Sequence, residues 1–355
     1  MKRTITLFGV AVLSVLLLWA RVPDYPDFCD AKGLYYKFYR DDVSGHLLDG
    51  HDGEVVFWGL FDRDPQESFT KLKKLVVPAK VKPARNMGGD YEDPKTYRVT
   101  AIGDHAFQGM PALEEIVLPE GITRISPFAM SNIPAKRINI PASMRHVYTG
   151  LFVGYDDKWE AVTVSPNHKR YSAVNGLLYS KKKDTLWVCP QAHPGAVTLP
   201  ATVKVINEKA FADSKKVTQV QLPAGLQKLG DKVFNSSSIT KVNIPGGVKV
   251  LPVSTFAFCK NLSQVTIANG LTQIGEEAFM YCTAMKSITL PASVKKIGKE
   301  AFYGCRSLKD IYCQSAVPPA AVIDAFKDVK DCRLHVPAGS EAAYRKAPRW
   351  QAFFK

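Results

Sequence analysis

The sequence predicts a repeat solenoid, α+β in class but mostly β, in which short parallel strands stack coil upon coil. Three observations predict it. An aliphatic-x-aliphatic-Pro motif recurs as Ile116-Val117-Leu118-Pro119, Ile138-Asn139-Ile140-Pro141, Val197-Thr198-Leu199-Pro200, Val220-Gln221-Leu222-Pro223, Val242-Asn243-Ile244-Pro245, Ile288-Thr289-Leu290-Pro291 and Leu334-His335-Val336-Pro337. Val162-Thr163-Val164, Val265-Thr266-Ile267 and Ile311-Tyr312-Cys313 repeat it without the proline. Taking the last aliphatic position of each motif, from Leu118 to Val336, successive steps are 22, 24, 35, 23, 22, 23, 23, 23 and 23 residues. Within the intervals, an aliphatic residue follows 7 positions after most anchors and an aromatic residue 12 positions after. A fixed short period marks stacked units, none of which buries its apolar face alone.

Each element has a reason. Inside the motif the two aliphatic residues are two apart, so in a strand they share one face and the residue between them takes the other. The following proline has no N–H for the ladder and ends the strand. The residues 7 after the anchor, Ile125, Val147, Ile206, Leu229, Leu251, Ile274 and Ile297, supply a second apolar contact from the return side. Phe152, Phe211, Phe234, Phe256, Phe279 and Phe302 lie 12 after, with Met130 substituting once, Phe107 matching in the first turn and Phe326 one residue late. Stacking turns these positions into continuous columns.

The solenoid is expected over residues 99–336. Its 35-residue step carries an insertion at 167–193, where Leu177–Ser180 and Thr185–Val188 flank a polar turn and read as a β-hairpin. Residues 21–98 are expected to form an N-terminal β cap, with strands around Leu34–Tyr39 and Val55–Trp58 and a loop from Asn86 to Lys95. Residues 337–355 are expected to form a C-terminal helical cap, in which Tyr344, Trp350, Phe353 and Phe354 close the core. Residues 1–20 read as a signal peptide: Lys2 and Arg3 precede a 14-residue apolar run, Ile5 to Leu18, with Ala20 near the cut. That run is short for a membrane span. No cysteine ends it, which disfavours lipidation. The expected localisation is exported: secreted, periplasmic or at the outer cell surface.

Composition is that of a folded protein, 46% hydrophobic, with a net charge of +14. The basic balance favours anionic partners such as acidic glycans or phosphate-bearing surfaces, although lysines also solubilise a strand-rich surface.

The unit running from Leu290-Pro-Ala-Ser-Val-Lys-Lys-Ile-Gly-Lys-Glu-Ala-Phe-Tyr-Gly-Cys to Ile311, echoed by Ile274-Gly-Glu-Glu-Ala-Phe-Met-Tyr-Cys282, resembles the BspA-like leucine-rich repeat. The insertion and the C-terminal segment from Val317 to Phe353 also resemble parts of that family. The resemblance spans roughly residues 30–355. It implies a right-handed leucine-rich-repeat coil with a parallel strand ladder, in a bacterial protein that is secreted or displayed at the surface. Some relatives are linked to adhesion to host matrix proteins or other cells.

Signals for chemistry are weak by comparison. Cys259, Cys282 and Cys305 are one 23-residue period apart, and Ser214 and Ser237 hold the equivalent earlier positions. Serine supplies neither a disulfide nor a thiolate, so the column reads as a site for small buried residues. The histidines show no metal-ligand spacing. His51-Asp52-Gly53-Glu54 reads as a solvated turn, and Gly225 to Lys232 lacks the Gly-Lys-Ser/Thr ending of a phosphate loop. No catalytic residue, metal ligand or cofactor is expected. What remains is the outward strand column, from which the expected binding face is Asn139, Gln221, Asn243, Thr266, Thr289 and Tyr312. The neighbouring outward column is charged and uneven, which argues against a flat ice-binding face. The expected function is a binding protein whose partner is a protein or glycan ligand on another cell or matrix, with no specific nucleic acid and membrane association only through an anchor. The alternative is a carbohydrate-binding accessory protein of the cell envelope.

Overall fold

A computed structural model describes residues 28–29, 34–38, 54–59, 70–83, 85–86, 95–126, 128–130, 133–147 and 158–354. The chain winds into a parallel β-solenoid of about ten turns with almost no helix. Most turns contribute a front strand of two to four residues and a return strand of two. In front, Lys241–Ile244 pairs in parallel with Gln264–Ile267, and Ser287–Leu290 with Asp310–Cys313 and then Arg333–His335. On the return side, Val250–Leu251, Gln273–Ile274, Lys296–Ile297 and Ala320–Ala321 form one parallel ladder. The alternation of exposed and buried residues along Lys241–Ile244 and Ser287–Leu290 is the two-residue period of the motif.

A third set of coil-to-coil hydrogen bonds runs along the corner after the return strand. The N–H groups of Lys209, Phe211 and Asp213 donate to the carbonyls of Asp231, Val233 and Asn235 at 2.8–2.9 Å. The pattern repeats from Lys232, Phe234 and Ser236 into Val253, Thr255 and Ala257. The two flanking residues of each corner are left-handed: Lys209 and Asp213, Lys232 and Ser236, Ser254 and Phe258, Glu277 and Tyr281 all have φ between 51° and 62°. These turns aim the intervening Phe inward. Phe211, Phe234, Phe256, Phe279, Phe302 and Phe326 form one column with ring centroids 5.1–5.4 Å apart. The late position of Phe326 does not remove it from the column, because its left-handed neighbours Asp324 and Asp328 are displaced with it. Phe152 lies outside the described residues.

The cysteine column packs as its period implies. Cys259, Cys282 and Cys305 are fully buried, and their thiols donate to the carbonyls of Phe234, Phe256 and Phe279 at 2.9, 3.1 and 3.0 Å. Burial pushes the Cys259 and Cys305 thiols up to about 12, and Cys282 well above its ordinary value.

The 167–193 insertion is built into the stack. It forms three antiparallel strands, Tyr171–Val174, Leu177–Ser180 and Thr185–Val188, the last of which joins the return ladder in parallel with Val205–Ile206. Its residues face two ways. Leu177, Tyr179 and Leu186 join the C-terminal core, while Tyr171, Leu178 and Val188 join the N-terminal core. The insertion is thus a partition across the solenoid axis.

At the N-terminal end, Tyr35–Phe38 and Glu54–Gly59 pair as a sheet that continues into Tyr97–Ile102. Phe57 packs against Phe107 in the N-terminal core, with ring centroids 5.7 Å apart. The front ladder begins upstream of residue 99, inside the region expected to be cap: Lys74–Val76 pairs in parallel with Glu115–Val117. Leu75-Val76-Val77-Pro78 is therefore one more copy of the strand motif. The leader expected at 1–20, the loop residues 87–94 and His51 to Gly53 lie outside the described residues.

The C-terminal helical cap is divided into two short pieces. An α-helix covers Glu341–Lys346 and a 3₁₀ turn covers Gln351–Phe354. Pro348 separates them: it cannot donate a helical hydrogen bond, and it holds Ala347 extended at ψ 130°. The aromatics still close the core. Trp350 packs 5.0 Å from Phe326 and donates to the Pro319 carbonyl at 2.7 Å, while Tyr344 donates to the Ser315 carbonyl at 2.8 Å.

Two outcomes test this packing. Phe256→Ala opens a cavity between two stacked rings and lowers stability by about 3–5 kcal/mol, read from the shift of the urea transition. The thiols of Cys259, Cys282 and Cys305 stay unreactive toward a thiol-specific chromogenic disulfide in the native protein and react only after unfolding.

Candidate ligand-binding face

Within each front sheet the outward residue of a strand is in register with that of the next. Thr198 faces Gln221, Asn243 faces Thr266, and Thr289 faces Tyr312, which in turn faces His335. Neighbouring strands in a ladder are about 4.8 Å apart, so these side chains form a row within each sheet. Each is held outward because its two strand neighbours are apolar and packed inside. Val242 and Ile244 flank Asn243, and Ile288 and Leu290 flank Thr289.

Asn243, Thr266 and Thr289 come together in one shallow trough of about 530 Å³. Lys241, Gln264 and Ser287, two residues back and so on the same face, complete it. The lining carries a single charged side chain, Lys241. Among the described residues, the side chains of Asn243, Thr266 and Thr289 have no hydrogen-bond partner, so their donors and acceptors are available. The trough offers amides and hydroxyls on a rigid strand frame, an arrangement suited to binding.

Beyond Thr289 the row ends in an aromatic pair. Tyr312, 42% exposed, stacks on His335 with centroids 4.3 Å apart and an interplanar angle of 11°. Asp310 holds the pair in place from the adjacent column. It accepts from His335 Nε2 at 2.7 Å and from Arg333 Nε and Nη2 at 2.9 and 3.1 Å. The hydrogen bond from His335 and the Arg333 guanidinium hold the Asp310 carboxyl below the usual aspartate range. Asp310, Arg333 and His335 were visible in the sequence only as members of the outward columns. The single 23-residue coil between Asp310 and Arg333 was the available signal.

The other two expected positions stand apart from the trough. Gln221 is exposed, and its Oε1 accepts from Thr198 Oγ1 at 3.5 Å. Asn139 is half-buried, and its amide is used internally. It accepts from Leu118 N–H at 2.6 Å and donates to the Leu118 carbonyl at 2.8 Å. The strand Glu115–Val117 stops short of Leu118, and Asn139 satisfies the backbone groups left over there. It also lies on the far side of the inserted partition. Among the described residues, no group of three His, Cys, Asp or Glu side chains converges as a metal site would require.

The BspA type leucine-rich repeat region matches this chain in six copies, over residues 94–173 and 194–315. The gap between the matched stretches falls within the insertion. Among solved structures, a leucine-rich repeat protein from Eubacterium ventriosum is 17% identical, covering 82% of this chain and 88% of its own, with a TM-score of 0.54. A leucine rich cell surface protein from Faecalibacterium prausnitzii is 18% identical, covering 82% and 96%, with a TM-score of 0.49. The first of these similarities is one of fold. No curated protein matches the chain.

The clamp around Asp310 has a pH signature. Its depressed carboxyl contributes order that is complete above the ordinary aspartate value of about 3.9 and is lost as pH falls through the lower native value. A carbon-13 NMR titration is expected to place the Asp310 midpoint below that of a free aspartate, and His335→Ala to move it back up.

Proposed function

The chain belongs to the BspA-type leucine-rich repeat family, and on that footing we propose that it is an exported, non-enzymatic binding protein that captures an extended ligand along its front strand face. The observation that carries this reading is the trough of Asn243, Thr266 and Thr289, whose polar side chains are exposed, in register and unpartnered among the described residues. A surface residue that supports the fold uses its hydrogen bonds internally, as Asn139 does. A row of unused ones on a rigid frame is preorganised for a ligand, because little side-chain or backbone order remains to be imposed on binding. Many individually weak contacts along the row then add up in a way that a single pocket does not need.

Export is supported by Lys2, Arg3 and the apolar run that follows them. A protein ligand of another cell or of a matrix suits the row as an extended strand-like surface. The Tyr312 ring favours the second reading, a glycan ligand. An exposed aromatic face beside amides and hydroxyls is able to cover the apolar side of a sugar while its neighbours bond the hydroxyls.

Replacing Asn243, Thr266, Thr289 and Tyr312 together with Ala is expected to abolish capture on an array of matrix proteins and glycans while circular dichroism and thermal unfolding stay near wild type. Unchanged capture by that variant removes the front row as the site. The class of array feature that loses signal decides between a protein and a glycan ligand.

A further inference from the structure

The opposite side of the coil carries a second surface, of different chemistry. Five successive turns lead from the end of the front strand through the return strand: 200–206, 223–229, 245–251, 268–274 and 291–297. Together they hold Lys204, Lys228, Lys249, Lys295 and Lys296 and not one Asp, Glu, Arg or aromatic residue. All five lysines are exposed, and none makes an ion pair among the described residues. The corner lysines just beyond behave differently, since Lys209 pairs with Glu208 and Lys299 with Glu300. At its upstream end the lane meets the hairpin tip, where Asp184 takes the column position beside Lys204 and three lysines precede it. Lys181, Lys182 and Lys183 are exposed there, and the tip is tied to the lane by Thr202 Oγ1 donating to the Lys183 carbonyl at 2.8 Å.

The order of residues within the lane is informative. One column, just before the return strands, reads Lys204, Gln227, Lys249, Thr272 and Lys295 in successive coils. A cation thus recurs at every second coil, about 10 Å apart given the spacing of paired strands, with a neutral hydrogen-bonding side chain between. One coil, at about 4.8 Å, is close to the advance of one pyranose along an extended chain. We infer that this lane binds a linear acidic polysaccharide laid along the solenoid axis, with a carboxylate or sulfate on every second sugar. Lys204, Lys249 and Lys295 meet the anions, and Gln227 meets a neutral sugar between them. Thr272, whose hydroxyl donates to the Lys249 carbonyl at 2.9 Å, offers its oxygen as an acceptor to the other. Lys228, Lys296 and the hairpin tip raise the local potential. Nucleic acid fits less well, because the lane has no aromatic or guanidinium plane on which a base could stack. A lipid surface fits less well, because it has no use for alternation at a fixed step. This surface is separate from the front row, so either is able to fail without the other.

The test uses the full chain and hyaluronan, which carries one carboxylate per two sugars, measured by calorimetry at low and raised salt. Binding is expected to weaken as salt rises. The triple variant Lys204→Gln, Lys249→Gln, Lys295→Gln is expected to lose roughly tenfold or more in affinity. Lys260→Gln, Lys330→Gln, Lys346→Gln removes the same charge from exposed positions off the lane and is expected to bind as wild type does. The front-row alanine variant is expected to do the same. Equal losses in the two lysine variants would overturn the assignment. So would the absence of hyaluronan binding, or tighter binding of single-stranded DNA or of phosphatidylserine vesicles.

Discussion

Hydrogen bonding from each coil to the next is the constraint on which everything else rests. A coil of about 23 residues is too short to satisfy its own backbone, and it has three straight segments whose N–H and C=O groups point along the axis. The front strand, the return strand and the corner each find their partners one coil away. The corner is the most demanding of the three. Its N–H groups reach the next coil only because two residues per turn adopt a left-handed backbone, and in this chain those residues are mostly lysine, aspartate, serine and even Phe258 and Tyr281 in place of glycine. Such a conformation is costly for a bulky side chain, and the ladder of neighbours on both sides offsets it.

Stacking in register has consequences inside and outside. Inside, it places Phe on Phe and thiol over carbonyl, so that a column of side chains becomes the core and burial leaves the cysteines without a reactive thiolate. The column ends at Phe326, which is why Trp350 and Phe353 sit where they do. Outside, the same register converts one residue per coil into a row. The polar trough on the front and the lysine lane on the return side are both products of this geometry, and neither is contiguous in the chain.

Much of this was legible in residue spacing. The Phe, cysteine and aliphatic columns follow from one period, because an insertion or deletion inside a coil would break all three ladders at once. The same logic explains what was hidden. Leu75-Val76-Val77-Pro78 belongs to the front ladder, but 41 residues separate Val77 from Leu118, and the extra length masks its period. The insertion at 167–193 was visible as extra length, yet its role as a partition depends on which residues face each core. The break after Lys346 was written in Pro348, whose missing N–H outweighs the helix-forming residues around it.

The sequence by itself determined the architecture, the inward columns and the outward position of Asn243, Thr266, Thr289 and Tyr312, because a strand period of two and a coil period of 23 leave side chains little choice of face. Only the tertiary structure decided which of those outward residues are free. Ile138-Asn139-Ile140-Pro141 and Val242-Asn243-Ile244-Pro245 are the same motif. One asparagine spends its amide on the Leu118 backbone, where the neighbouring strand ends early, and the other stands over an open trough. The difference lies in the coil next door, since whether a polar group has bonds to spare depends on what its neighbour leaves unsatisfied.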